Sequence, residues 1–274
     1  MKVLIDCLIY SEGSNFGFRE SIRSLLLELY NYSGNTNFYF LFRKSEKFNI
    51  EKFCLKYDIK AKCIFLDDFA WRFKAWFLNF FIDSSFNILI NTYNQGVLFP
   101  RKTLVVTIVH DHLFLTNFHE FGVRKLYYNV IFRTPFTRSK NYIFISNTTR
   151  YEHLKFFKQP KNSEVIYWPT PKKKFQKKKA VQEIKEGEVF FLNIASKGRY
   201  KNTDYLLREF ETFKKNNKGV KLVLVGREGK NENNTLYFKN LPQEELNWLL
   251  DKCVAIILPS HYEGFGFPYQ EAKI

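Results

Sequence analysis

The sequence predicts an α/β protein of two units, each built on a mostly parallel sheet. Three observations carry this expectation. Short apolar runs alternate with helix-patterned segments along the chain. A lysine-rich stretch with two prolines, "PTPKKKFQKKKAVQEIKEGE", interrupts the alternation once, after which it restarts. Hydrophobic residues make up 45% of the 274 residues, which is enough to fill sizeable cores. Strands alternating with helices imply a sheet covered on both faces.

The first run, "KVLIDCLI" (2–9), reads as a buried strand, followed by a loop with Gly13 and Gly17. "FRESIRSLLLELY" then places Ile22, Leu25, Leu26 and Leu29 on one helical face. "NFYFLF" (37–42), "SFNILIN" (85–91), "LVVTIVHD" (104–111) and "NYIFISN" (141–147) are further strand candidates. The proline- and lysine-rich stretch gives the boundary: a first unit at 1–168, a flexible or loosely helical basic linker at 169–187, and a second unit at 188–274. In the second unit, "VFFLNIA" (189–195), "VKLVLVG" (220–226), "LYF" (236–238) and "VAIILP" (254–259) read as strands. "TDYLLREFETF" is a helix capped by Thr203 or Asn202, with Leu206, Leu207, Phe210 and Phe213 turned inward. "PQEELNWLL" is a second helix with proline near its first turn.

Charge is lopsided, with 43 Lys and Arg against 27 Asp and Glu, a formal net of +16. Such a field attracts polyanions such as acidic lipid headgroups, phosphorylated small molecules or nucleic acid. A lysine-rich genome composition accounts for the same numbers equally well. The four cysteines form no CxxC pair and match no zinc spacing. Cys7 and Cys253 lie in apolar runs and read as core residues, consistent with a reducing cytosol. Asp6 breaks the first apolar run, which argues against a signal peptide there. The longest aromatic stretch, "FAWRFKAWFLNFF" (69–81), carries Arg72 and Lys74 and is too short to span a bilayer.

The chemistry concentrates in "IILPSHYEGFGFPYQEA". A buried strand ends at Pro259, a glycine-aromatic loop follows, and a helix is expected from about Pro268. Ligands of open parallel sheets bind at the carboxyl ends of strands. The Gly264-Phe265-Gly266 backbone can come close to a ligand because glycine lacks a Cβ. Glu263 in the loop and Glu271 in the helix can flank one polyhydroxylated ligand. For an isolated E-G-x-G, a pair of turn glycines between solvated carboxylates would be the simpler reading.

The string "PSHYEGFGFPYQEA" resembles the signature of the retaining glycosyltransferases of family 4, which have the GT-B fold of two Rossmann-like domains. Both carboxylates, both glycines, the proline and the closing Glu-Ala match. "FFLNIASKGRYKNTDYLLREF" resembles the family's strand, basic loop, Lys-Asn and helix, with Tyr200 and Ala195 departing from its usual Arg and Gly. Over 1–168 the likeness is looser and includes the segment "ISNTTRYEHLKFF". The resemblance implies sugar transfer from a nucleotide-sugar donor with retention of configuration and without a metal or other cofactor. It implies that Glu263 and the amides of Phe265 and Gly266 contact the donor sugar, and that Glu271 holds the ribose. Lys201 and Arg199 would bind the diphosphate, and His110 would lie beside the sugar, donating a hydrogen bond to one of its hydroxyls. Against these stand an ordinary surface lysine and a satisfied strand-end histidine. Asp111 and His112 are weaker candidates.

The acceptor is expected to be a glycan or a lipid-linked sugar, in cell-surface polysaccharide or lipopolysaccharide synthesis. Aromatics mixed with Arg and Lys in 69–81 and 121–140 suit an anionic membrane surface, although most of these rings also suit a core. The expected location is therefore cytoplasmic and peripheral at the inner membrane face. No nucleic-acid module is recognisable, so nucleic acid is not an expected partner. A non-catalytic nucleotide- or glycan-binding relative and a basic adaptor protein remain alternatives. The second unit is short against the roughly 100–150 residues of a typical domain. It is expected to be incomplete at its C-terminus, leaving a chain of low stability that is weakly active or inactive.

Overall fold

A computed structural model describes residues 1–11, 16–32, 34–78, 85–93, 103–116, 140–167, 177–194, 198–232, 234–263 and 266. The chain divides into two compact units, Met1–Pro169 and Thr170–Ile274. Each holds one wholly parallel sheet with helices on both faces.

In the first unit, β1 (Lys2–Asp6), β2 (Asn37–Arg43), β3 (Lys62–Leu66), β4 (Ile88–Asn91), β5 (Leu104–Val109), β6 (Asn141–Phe144) and β7 (Asn162–Val165) lie in the order β3-β2-β1-β4-β5-β6-β7. Side-chain alternation divides β1 between two cores. Val3 and Ile5 pack with Phe40 and Phe42 and with Ile22 and Leu26 of α1 (Phe16–Tyr30) and Ile50 of α2 (Lys47–Lys56). Leu4 joins Leu41, Leu89 and Val105 beneath Ala75 of α3 (Trp71–Trp76). Fully burying one such aliphatic side chain contributes about 1.5–3 kcal/mol, so the central strands β1, β2 and β4 anchor this unit. Two short helices follow strands on the far side: α4 (Leu113–Thr116) after β5 and α5 (Asn147–Phe156) after β6.

In the second unit, β8 (Val189–Ile194), β9 (Val220–Val225), β10 (Thr235–Phe238) and β11 (Ala255–Ile256) lie in the order β10-β9-β8-β11. On one face Phe190, Leu192, Val223 and Phe238 pack against Leu246 and Leu249 of α7 (Gln243–Lys252). On the other, Leu222 and Leu224 meet Leu206 and Phe210 of α6 (Thr203–Asn216). Phe213, expected inward, is 39% exposed: it lies in the last turn of α6, where its ring meets Phe191 edge-on and stacks with Phe210.

The structure also revises the linker. Within 177–187, Val181 and Ile184 are buried in the core of the second unit. Lys179 pairs with Glu245 at 3.0 Å, and Asn247 donates to the Lys177 carbonyl. Lysine density masked a two-residue apolar anchor that gives this segment a fixed place. β3, α2 and β7 were not anticipated. "KCIFL" has too few residues to show a period, and β7, "NSEV", is polar because it is an edge strand. Cys7 is buried as expected, Cys253 is only partly so, and all four cysteines are free thiols.

Candidate active site

Both sheets have a topological switch point, between β1 and β4 and between β8 and β11. Strand order reverses there, and open parallel sheets bind ligands at the carboxyl edge of such a point.

At the switch point of the second sheet, the loop after β8 carries a 3-10 turn, Arg199–Lys201, and the loop after β11 carries Glu263. Lys201 Nζ lies 2.7 Å from Glu263 Oε1, with side chains 15% and 30% exposed. The His261 amide donates to the Tyr200 carbonyl at 2.8 Å, which fastens one loop to the other. Beneath them Asn193 donates from Nδ2 to the Ile257 carbonyl at 2.7 Å, bridging the switch point itself. Asn202 adopts φ 53 between the 3-10 turn and α6. Asn is among the few side chains that tolerate this left-handed conformation. Its side chain makes no cap hydrogen bond, so the expected capping role is replaced by a conformational one. The first amides of α6 therefore have no side-chain cap at Asn202, and a helix N-terminus favours anions. Arg199 is exposed on the same turn. Gly266 has φ 74, a conformation in which a Cβ is strained, so the glycine at this position is required by the backbone. Gly264, Phe265 and Glu271 lie outside the described residues, as does Gly13, while Gly17 sits in the first turn of α1.

The switch point of the first sheet is a buried polar row. His110, just past β5, donates from Nε2 to the Thr92 carbonyl at 2.8 Å, since a carbonyl can only accept. Thr92 Oγ1 donates to the Asp6 carbonyl at 2.6 Å, and the Leu8 amide donates to Asp6 Oδ1. Burial holds His110 down to about 4, opposed by the Thr92 bond, so the imidazole is neutral. Its Nε2 proton is committed to Thr92. The Nε2 proton expected to serve a sugar hydroxyl is therefore engaged by the backbone. Burial pushes the Asp6 carboxyl up to about 7, against the pull of the Leu8 amide and the Tyr93 hydroxyl. Asp6 was missed as a site residue, although a lone charge inside an apolar strand signalled it.

The weaker candidates have structural partners. Asp111 accepts from the Leu113 amide at the start of α4. His112 is fully buried against the tilted rings of Phe114, Phe156 and Phe157, its Nε2 3.2 Å from Nδ1 of His153. In the S-x-x-T segment, Ser146 accepts from the Thr149 amide, capping α5, and Thr149 Oγ1 donates to the His110 carbonyl. Arg43, also unanticipated, donates to the carbonyls of Leu8 and Tyr10 and stacks on Trp71, which fixes the loop after β1.

Two α/β units with these switch points have the architecture of the GT-B glycosyltransferases. Residues 174–273, which make up most of the second unit, match the family described as Glycosyl transferases group 1. Among solved structures, the chain is similar to sucrose-phosphate synthase from Thermosynechococcus elongatus, at 11% identity and TM-score 0.67, covering 99% of this chain and 78% of that one. It is also similar to WaaG, a glycosyltransferase involved in lipopolysaccharide biosynthesis, at 12% identity and TM-score 0.63, with the same coverage of 99% and 78%. A third is the lipopolysaccharide outer core galactosyltransferase WaaB in its apo form, at 15% identity and TM-score 0.58, again covering 99% and 78%. No curated protein matches the sequence significantly. At these identities the structures speak for the fold, and the family match speaks for glycosyl transfer. Both bear out the glycosyltransferase likeness and the GT-B fold expected from the signature.

Proposed function

We propose that this chain transfers a sugar from a nucleotide-sugar donor to a glycan or lipid-linked acceptor, with retention of configuration, in the assembly of a cell-surface polysaccharide or lipopolysaccharide. The observation that carries the reading is the Lys201–Glu263 pair at the carboxyl edge, beside the N-terminus of α6 and within the family match.

The bond to break joins sugar to phosphate, and negative charge grows on the departing diphosphate. Lys201, Arg199 and the first amides of α6 are assigned to receive that charge, since fixed cations and helix amides stabilise it without reorganising. Glu263 holds Lys201 until the diphosphate takes its place, and then accepts from hydroxyls of the donor sugar, while the amides of Phe265 and Gly266 donate to its oxygens. Glu271 accepts from the ribose hydroxyls. His110 is assigned to the sugar as a neutral imidazole, and the loop with Gly13 and Gly17 to the approach of substrate. The reading assigns the nucleotide sugar as substrate and calls for no metal. The similarity to WaaG and WaaB supports a lipopolysaccharide-type acceptor. Among the described residues no helix is long and apolar enough to cross a membrane, in keeping with a peripheral protein on the cytoplasmic side.

Calorimetric titration with UDP-, GDP- and ADP-sugars, paired with a transfer assay, tests the reading. Binding of one donor with turnover supports it. Binding without turnover identifies a non-catalytic relative, and no binding overturns it.

A further inference from the structure

All strands of the seven-stranded sheet are parallel, so their first residues share one edge, opposite the edge that carries His110. That edge is cationic. Lys2 opens β1, Lys62 opens β3 with Lys60 just before it, Lys140 precedes β6, and Lys161 with Lys158 precedes β7. All six are exposed. Among the described residues none of the six is in an ion pair, whereas Lys74, Lys155 and Lys221 are matched by carboxylates. Lys2 and Lys62 donate only to the neutral side chains of Ser85 and Asn37. Exposed carboxylates also occur near it: Glu28 in the last turn of α1, Asp58 after α2, and Glu164 within β7.

The same edge exposes apolar side chains between the cations. Leu55 is 84% exposed at the end of α2, Met1 58% before β1 and Leu104 49% at the start of β5. Tyr32 and Tyr57 stand beside them. Strand order sets the pattern: the lysines of β3, β6 and β7 lie towards the two sides, and Met1 and Leu104 lie between them. Seven strands at about 4.8 Å spacing make a row of roughly 29 Å. A row of unpaired cations around exposed aliphatic and tyrosine side chains fits a planar surface that is anionic outside and apolar beneath. Nucleic acid would use the lysines but has no place for Leu55, Met1 and Leu104.

We propose that the amino-terminal edge of the seven-stranded sheet is a docking face for an anionic lipid bilayer. This gives the membrane partner of the proposed function a location, and it holds whichever donor the second unit takes. The segments 69–81 and 121–140, singled out in the sequence for their rings and cations, lie partly or mostly outside the described residues. With five-residue β1 standing on the bilayer, the His110 edge is held about 16 Å from the docking row, towards the aqueous side. Lipid-linked acceptors of that height would present a sugar to it beyond the headgroup.

The test uses the full chain and sedimentation with vesicles of phosphatidylcholine alone or with 30% phosphatidylglycerol. The parent should bind only the anionic vesicles in low salt and be released in high salt, because attraction beyond a Debye length is screened. Replacing Lys60, Lys140 and Lys161 together by Glu should lower partitioning by roughly 100-fold or more, each cation near an anionic surface being worth about fivefold. Leu55→Ser should lower it further at equal charge. A variant with Lys215, Lys218 and Lys252 replaced by Glu on the second unit should bind like the parent. Donor affinity by calorimetry should be unchanged in all three, which separates failure here from failure of the transferase reading. The proposal is overturned if the parent ignores anionic vesicles or if the triple variant binds like the parent. It is also overturned if polyuridylate binds more tightly than the vesicles and Leu55→Ser has no effect.

Discussion

The two switch points use polar groups in opposite ways. On the first sheet, Asp6, Thr92 and His110 are buried and bonded to backbone, and burial moves both titratable side chains towards their neutral forms. On the second sheet, Lys201 and Glu263 remain partly exposed and satisfy each other. A neutral buried group can hold shape and offer a directed hydrogen bond, but it gives little help to a growing charge. A partly exposed ion pair can exchange its internal partner for a ligand at modest cost, since the median worth of an accessible pair is only about 0–1 kcal/mol. On the proposed function, charge stabilisation would fall to the second unit and orientation to the first.

The sharpest way to break this contrast is at Lys201. Lys201→Ala is expected to lower kcat/KM for sugar transfer by about 10²–10³-fold, the range for loss of one preorganised charge-stabilising group. Lys201→Arg should recover part of it. Steady-state kinetics with the donor found by calorimetry is the check, and parent-like turnover in Lys201→Ala would remove the second unit's role.

Next come the two carboxylates of the signature. Glu263→Gln should lower turnover by roughly 10–100-fold with a smaller effect on donor affinity, and Glu271→Ala should mainly weaken donor binding. Each loss corresponds to a charge-assisted hydrogen bond of about 1.5–3 kcal/mol. Parent-like binding and turnover in both variants would sink the site assignment.

The first unit should reveal its buried groups through pH. His110, His112 and His153 are held down to about 4, 3 and 4, chiefly by burial, so the folded chain leaves them neutral where the unfolded chain binds protons below about 6.5. Their contribution is complete above pH 6.5 and is lost as pH falls. Asp6, raised to about 7, acts in the opposite sense, favouring the folded state below about 4 and losing that advantage as pH rises to 7. Between about pH 4.5 and 6.5, three imidazoles against one carboxyl leave the unfolded state with two more protons. Stability should then rise with pH, by on the order of 2–3 kcal/mol per unit. Chemical denaturation at stepped pH measures this slope. It should steepen in Asp6→Asn and flatten in His153→Leu. A slope unchanged by either substitution would show that these groups are not held as described.

The smallest expected effect is at Gly266. Adding a Cβ at φ 74 should cost about 1–2 kcal/mol, so Gly266→Ala is expected to lower the thermal midpoint by a few degrees and to weaken donor binding slightly.

The sequence by itself determined the alternation of strands and helices, the restart after the basic stretch, and the signature around Glu263 and Gly266. Each is local: a period of apolar residues, a run of prolines and lysines, or a fixed spacing within one loop. β1, α1, α6 and α7 were legible for that reason, as was Lys201 beside the start of a helix. Only the tertiary structure decided which of these groups meet. That Lys201 reaches Glu263 across 62 positions depends on β11 pairing beside β8, which no local pattern encodes. That Asp6 is driven towards its neutral form and His110 spends its proton on Thr92 depends on β1, β4 and β5 being neighbours. Val181 and Ile184 belong to a core because a sheet and α7 close over them, whereas the sequence around them shows chiefly lysine. The cationic edge is likewise invisible as a motif: its lysines are scattered from position 2 to 161 and become one row only because seven strands run parallel. Spacing along the chain reports what a single helix or loop will do, while charge, burial and proton occupancy are properties of the neighbours that folding supplies.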